Sequence, residues 1–196
     1  MKPDAESREV VADTGPPSDA RPDLTRRGRR PFTVQVAALR KVTGSTRHET
    51  RQGVIGGLAA VGVVVPEASV VDAELELASY PGGIMVTGTV RAPWRGECRR
   101  CGGPVAGEVV AVVRERFAPA GGSVADEDAY HFEGDELDLE PLARDAVLLE
   151  LPLAPLCAED CRGLCPQCGT NWNVAECACT PAADPRWSAL DTLRDP

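Results

Sequence analysis

Eight cysteines are the residues most able to do chemistry in this chain, and they fall into four close pairs: Cys98/Cys101, Cys157/Cys161, Cys165/Cys168 and Cys177/Cys179. Thiolates at such spacings can hold a metal, bond one another or carry a redox reaction. Cys165-Pro-Gln-Cys168-Gly169 is the strongest signal. A two-residue spacer lets both sulfurs face one ion from a tight turn whose N–H groups donate to them. Gly169 suits the left-handed conformation that such a turn needs next. Cys98-Arg-Arg-Cys101-Gly102-Gly103 has the same form. In an extended segment Cys177 and Cys179 point to the same side, and on a helical turn Cys157 and Cys161 would share a face.

One zinc takes four ligands, so the six cysteines after residue 156 are too many for one mononuclear site. The simplest partition gives two sites. Cys165, Cys168, Cys177 and Cys179 form a set local in sequence. Cys98, Cys101, Cys157 and Cys161 form a second set that staples distant segments together. The expected cofactor is one or two structural zinc ions. An iron–sulfur cluster meets the same ligand count, but paired two-residue turns favour zinc. A thiol–disulfide protein is the redox alternative, because Arg99 and Arg100 would lower neighbouring thiol pKa values. Against it, Gly-Gly-Pro follows Cys101 where a thioredoxin-like motif would open a helix.

The surroundings narrow the choice. The N-terminus is polar, without the apolar stretch of a secretory signal, and no run of 18 apolar residues exists. These features place the protein in the cytoplasm of a prokaryote, where eight cysteines are not expected to form disulfides. Net charge is −9, unevenly spread: residues 1–60 carry 11 Lys/Arg against 7 Asp/Glu, and residues 61–196 carry 10 against 23. A basic arm thus precedes an acidic body suited to a basic protein partner. His48 and His131 sit in polar surroundings and read as surface residues. There is no phosphate-binding glycine loop and no nucleophile elbow, so no catalytic residue is assigned. A zinc-containing nucleic-acid regulator is a further alternative, weakened by the lack of a basic recognition helix.

The elements that must position the cysteines are mostly strands. Residues 1–30, rich in Pro and Arg, read as a disordered tail whose Arg26–Arg30 run could touch RNA phosphates. Pro31–Leu39 alternates like a strand, and the polar RKVTGSTRHETR that follows reads as a loop. Val71, Ala73, Leu75 and Leu77 alternate with acidic residues. Tyr80-Pro81-Gly82-Gly83 turns the chain, and Ile84–Val90 returns. A further strand, about Gly107–Phe117, places the first cysteine turn between two strands, with Trp94 packed beside it. Residues 118–134 read as an acidic loop. Pro141 and its acidic neighbours start a helix over about Glu140–Leu151, with Leu142, Ala146 and Leu149 on one face and Pro152 as its stop. Asp184-Pro185 opens a short helix to Leu193.

Three stretches carry a resemblance. ECRRCGGPV after a strand, the tail PLAPLCAEDCRGLCPQCGTNWNVAECAC with DPRWSALDTL, and the opening PFTVQVAALRKVTGSTR are similar to the YceD family, the large ribosomal RNA subunit accumulation proteins. The likeness runs from about residue 31 to 194. In place of the family's proline-containing turn, this chain has Val42-Thr43-Gly44-Ser45. The resemblance implies a non-enzymatic factor supporting synthesis, processing or accumulation of large-subunit (23S) rRNA in ribosome biogenesis. The expected partner is a ribosome assembly intermediate, met through a basic ribosomal protein or through the rRNA. No membrane and no small-molecule substrate are expected. The expected fold is α+β. An antiparallel β-sheet of five or six strands packs on one main helix, with a C-terminal cysteine-rich zinc-binding module. The expected division is a tail over 1–30, a body over 31–155 and the module over 156–196.

Overall fold

The protein is described by a computed structural model covering residues 30–121, 129–180 and 186. The tail before Arg30 and nearly all of the helix expected over 184–193 lie outside the described residues. In chain order the elements are β1 (Thr33–Gln35), α1 (Ala37–Arg40), β2 (Thr46–Gly53), β3 (Ala59–Ala60), β4 (Val63–Val64), β5 (Val71–Tyr80), β6 (Gly83–Glu97), β7 (Pro104–Pro119), β8 (Tyr130–Phe132), β9 (Glu136–Asp138) and α2 (Glu140–Glu150).

A long meander dominates. β5 and β6 form the expected hairpin around Pro81-Gly82, with Tyr80 opposite Gly83 and Asp72 opposite Arg91. β6 continues well past the expected Val90, pairing with β7 from Ile84–Phe117 to Glu97–Pro104. On its other side β4 takes over from β5, placing Val64 opposite Arg95. Pro93 lies at that changeover, where a sheet tolerates a residue without an N–H. β8 adds to β7 in parallel, and β1 pairs with β9 in a separate two-stranded sheet. The architecture is therefore α+β and mainly antiparallel, and among the described residues the main sheet has seven strands in place of five or six, with two more in the small sheet. The extra strands are short or polar.

The core follows the alternation of the strands. Val71, Ala73, Leu75 and Leu77 of β5 are fully buried, as are Ile84, Val86 and Val90 of β6. Valine and leucine fill most of it, as a chain with 4 % aromatics requires. Phe32, Val34 and Val36 are also buried, and Val34 lies across the β1–β9 ladder from the buried Leu137, with Leu139 close behind in sequence. The strand expected over Pro31–Leu39 stops at Gln35 and becomes the single turn α1. Gly88 is held at φ 148°, and a Cβ there would lie 2.1 Å from the carbonyl oxygen of Glu74. The central strands approach too closely at that point for any side chain.

Two further expectations need correction. RKVTGSTRHETR is not a loop, because Thr46–Gly53 forms strand β2, antiparallel to β5. Its alternation is hidden because the inward positions are charged. Arg47, Glu49 and Arg51 lie opposite Leu77, Leu75 and Ala73. Glu49 pairs with both arginines at 2.6 Å and stays half-buried between them. On α2 the buried residues are Leu142, Ala143 and Val147, while Leu149 is 85 % exposed. Leu149 lies two turns beyond Leu142, at the edge of a buried face centred on Ala143 and Val147 that continues to Leu151. The helix starts as expected, with Pro141 in its first turn and Asp138 Oδ1 accepting the Glu140 N–H at 3.0 Å. The Arg144 guanidinium bonds Glu140 at 3.1 Å and the Gly56 carbonyl at 2.7 Å, tying the helix to the segment before β3. His48 on β2 and His131 on β8 are both exposed. No helix among the described residues is long and apolar enough to cross a membrane.

Candidate metal centres

Cys98–Gly103 connects β6 to β7, so the first cysteine turn stands at the tip of the longest hairpin. Its backbone closes on itself. The Cys98 N–H donates to the Gly103 carbonyl at 2.7 Å, and the Gly102 N–H to the Cys98 carbonyl at 2.9 Å. The Cys165–Thr170 turn repeats this pattern: Cys165 N–H to Thr170 O at 2.8 Å, Gly169 N–H to Cys165 O at 2.9 Å. Gly102 and Gly169 take φ 70° and 74°, the left-handed geometry that closing the loop requires and that glycine adopts without strain. Trp94 is not packed on the turn as expected. It sits across the ladder from Gly107, in the space a Cβ there would need.

The structure gathers the eight cysteines into the two expected sets. Within Cys98, Cys101, Cys157 and Cys161 all sulfurs lie within 4.8 Å of one another, and the same holds for Cys165, Cys168, Cys177 and Cys179. In the first set Cys98 Sγ is 3.8 Å from Cys161 Sγ, and Cys101 Sγ is 3.6 Å from Cys157 Sγ. A tetrahedral ion with metal–sulfur bonds of about 2.3 Å spaces its sulfurs about 3.8 Å apart, so the residues fit one divalent ion per set. A cluster of several irons with bridging sulfides needs its cysteines farther apart. Cys157 and Cys161 converge by a different route from the one expected. The segment is a turn, not a helix, with the Cys161 N–H on the Ala158 carbonyl at 3.1 Å.

The first set joins the hairpin tip to the chain after α2. The Arg99 N–H donates to the Pro155 carbonyl at 2.9 Å, and Arg100 Nη1 donates to the carbonyls of Cys161 at 2.9 Å and Glu159 at 3.2 Å. The two arginines between the cysteines therefore work as structural ties.

Each set mixes ready thiolates with held protons. The amides of Cys101 and Cys157 donate to Cys98 and pull its thiol down to about 6. The Cys161 and Cys101 side chains and burial push Cys157 up to about 12. At Cys101 the Gly103 amide acts downward, but Cys98 and burial outweigh it and the thiol rises. In the second set the Thr170 hydroxyl and amide bring Cys168 down to about 6, and the Trp172 indole N–H lowers Cys177. Cys168 together with burial drives Cys179 up to about 12. Four touching thiols cannot all ionise unaided. A divalent cation removes the repulsion and expels the remaining protons. A redox pair would offer one low thiol and one resolving partner, whereas here each low thiol is enclosed by three sulfurs.

The sign of the pH dependence follows. At pH 7 Cys157 and Cys179 carry protons that a metal must displace. Below about pH 6 Cys98 and Cys168 add another each. Affinity per site is expected to fall at least 100-fold between pH 7 and 5, at tenfold per proton per unit. Competition against a chromophoric chelator measures this, and a pH-independent affinity would rule out thiolate ligation.

Spacing alone did not reveal the groups that touch the sulfurs. Thr170 reaches Cys168 Sγ at 3.1 Å, Trp172 Nε1 reaches Cys177 Sγ at 3.3 Å, and Asn173 Nδ2 reaches Cys161 Sγ at 3.3 Å. The available signal was the run Thr170-Asn171-Trp172-Asn173, four side-chain hydrogen-bonding groups in succession between two cysteine pairs.

Residues 86–194 match the family model described as large ribosomal RNA subunit accumulation protein YceD. An uncharacterised protein of Mycobacterium tuberculosis (strain ATCC 25618 / H37Rv) is 37 % identical over 175 residues, covering 85 % of this chain and 83 % of that protein. A large ribosomal RNA subunit accumulation protein YCED homolog 1, chloroplastic, of Arabidopsis thaliana is 36 % identical over 72 residues, 35 % of this chain and 22 % of that protein. The uncharacterised protein YlbN of Bacillus subtilis is 35 % identical over a stretch of the same length, 36 % of this chain and 42 % of that protein. No solved structure matches. The family match spans the cysteine hairpin, the main helix and both four-cysteine sets, and the mycobacterial relative extends the likeness across most of the chain; the chain belongs to the YceD family, the large ribosomal RNA subunit accumulation proteins.

Proposed function

We propose that this protein is a non-enzymatic factor in bacterial large-subunit ribosome assembly, acting in the cytoplasm to support synthesis, processing or accumulation of 23S rRNA. Family membership carries the reading. In this reading the two four-cysteine sets hold structural zinc. The sulfur spacing supports that choice, because it suits a single tetrahedral ion and leaves no open position at which a substrate could bind.

The parts divide the work. A body over residues 31–155 presents an acidic surface to a basic ribosomal protein of the assembly intermediate. Asp72, Glu74 and Glu76 supply part of that surface on the outer side of β5. The module over 156–196 is fastened to the body through the first set, and the arginine-rich stretch ending at Arg30 meets rRNA phosphates. Depleting the protein in its host is expected to lower mature large-subunit rRNA relative to small-subunit rRNA and to reduce large particles on a gradient. Unchanged rRNA ratios with normal particles would overturn the assembly role.

A further inference from the structure

The loop that separates the two halves of the second set also touches the first. Leu164 bridges Asn171, and the Trp172 N–H donates to the Gly163 carbonyl at 3.0 Å. Residues 161–165 and 170–173 thus form a small antiparallel clasp. One strand of it begins at Cys161, of the first set, and ends at Cys165, of the second. On the returning strand neighbouring side chains diverge. Trp172 Nε1 donates to Cys177 Sγ in the second set, while Asn173 Nδ2 donates to Cys161 Sγ in the first.

The Asn173 amide has little freedom to do otherwise. Its Oδ1 accepts the Arg162 N–H at 2.8 Å, and its Nδ2 also donates to Asn171 Oδ1 at 2.8 Å. The Asn173 N–H donates to the same Asn171 oxygen at 2.9 Å. A donor fixed this firmly on a sulfur orients that sulfur, as outer partners of metal ligands do. Its fixed position depends on the 169–176 loop, whose ends carry Cys168 and Cys177.

The two sets also differ in what they draw from elsewhere. The donors to the local set, Thr170 on Cys168 and Trp172 on Cys177, lie within its own loop. The hairpin set takes its Asn173 donor from that same loop.

We propose that the two centres fill in a fixed order, the Cys165/Cys168/Cys177/Cys179 centre first, and that Asn173 is the positioning residue through which its filling raises the metal affinity of the Cys98/Cys101/Cys157/Cys161 centre. This rests on reading both sets as metal centres. Coupling of this kind is reciprocal: filling the hairpin centre strengthens the local one by the same factor.

A zinc titration of the full-length metal-free chain, followed by cysteine-resolved alkylation and mass spectrometry, tests it. The first equivalent is expected to protect Cys165, Cys168, Cys177 and Cys179, and the second the other four. Asn173→Ala is expected to leave the first step unchanged and to weaken the second by about 10- to 100-fold. Because that variant could also loosen the loop itself, Cys177→Ser/Cys179→Ser supplies an independent arm. It keeps Asn173 but empties the local centre, and is expected to weaken the hairpin centre by at least about tenfold. A wild-type chain that binds two zinc ions, with unchanged hairpin-centre affinity in the double variant, overturns the coupling and leaves the metal reading standing. A wild-type chain that takes up no zinc overturns both.

Discussion

Stripping the metal with a chelator is expected to open the segment from about residue 156 to 180 to trypsin, with an early cut after Arg162, while the sheet stays folded. The reason is where the apolar core ends. Its last member along the chain is Leu151. Between the end of α2 and Thr180 the chain forms no helix and no named strand, and the buried side chains there are mainly Pro155, Cys161 and Cys165. Ordering each residue costs about 1–2 kcal/mol, and little apolar area is buried in return. A structural zinc contributes on the order of 10 kcal/mol to such a fold. With the ions removed, the ties from Arg99 and Arg100 are too few to hold the segment. Arg162 is exposed and becomes a cleavable site once its neighbours loosen. Limited proteolysis with and without chelator, followed by zinc re-addition, reads this directly. Equal lifetimes of the segment in both states would show that packing holds the module and the cysteines do not.

The second large effect belongs to the sheet. Gly88→Ala is expected to destabilise the protein by about 4 kcal/mol. The new Cβ would sit 2.1 Å from the Glu74 carbonyl oxygen and 2.9 Å from Leu75 Cα, both backbone atoms that no rotamer change can move. The φ of 148° adds strain for any residue with a side chain. Backbone strain and overpacking of about 1–3 kcal/mol each combine to that figure, a large part of the total stability of an ordinary domain. Gly56→Ala is the control. Nothing lies within 4 Å of its Cβ and its φ is not left-handed, so a change within about 0.5 kcal/mol is expected. Urea melts of the two variants would decide the matter, and equal midpoints would refute the close-approach account.

The cysteine partition was legible because it rests on counting and chain geometry. A two-residue turn can present two sulfurs to one ion, and four ligands close a site. The β5–β6 hairpin was legible because Val71, Ala73, Leu75 and Leu77 alternate with Asp72, Glu74 and Glu76, and Pro-Gly marks the turn. β2 was not, because a hydrophobic alternation is the signal for a half-buried strand and this strand puts Arg47, Glu49 and Arg51 on its inner side. The face of α2 was half legible. Its period placed Leu142 inside, but only the packed structure shows that the buried face centres on Ala143 and Val147 and leaves Leu149 at its edge. Asn173 was invisible for another reason. A lone asparagine in a turn has many uses, and only the clasp of residues 161–165 against 170–173 brings it to a sulfur.

The charged row on β2 has a bearing on life at high concentration. Among the described residues β2 pairs only with β5, so its outer edge offers unpaired backbone groups to any other extended chain. A strand with valines at the half-buried positions 47, 49 and 51 would be open to stacking edge to edge with its own copies. Arg47, Glu49 and Arg51 make that association costly, because docking another strand there would desolvate an Arg–Glu–Arg row. Stability given up inside the sheet is returned as resistance to aggregation.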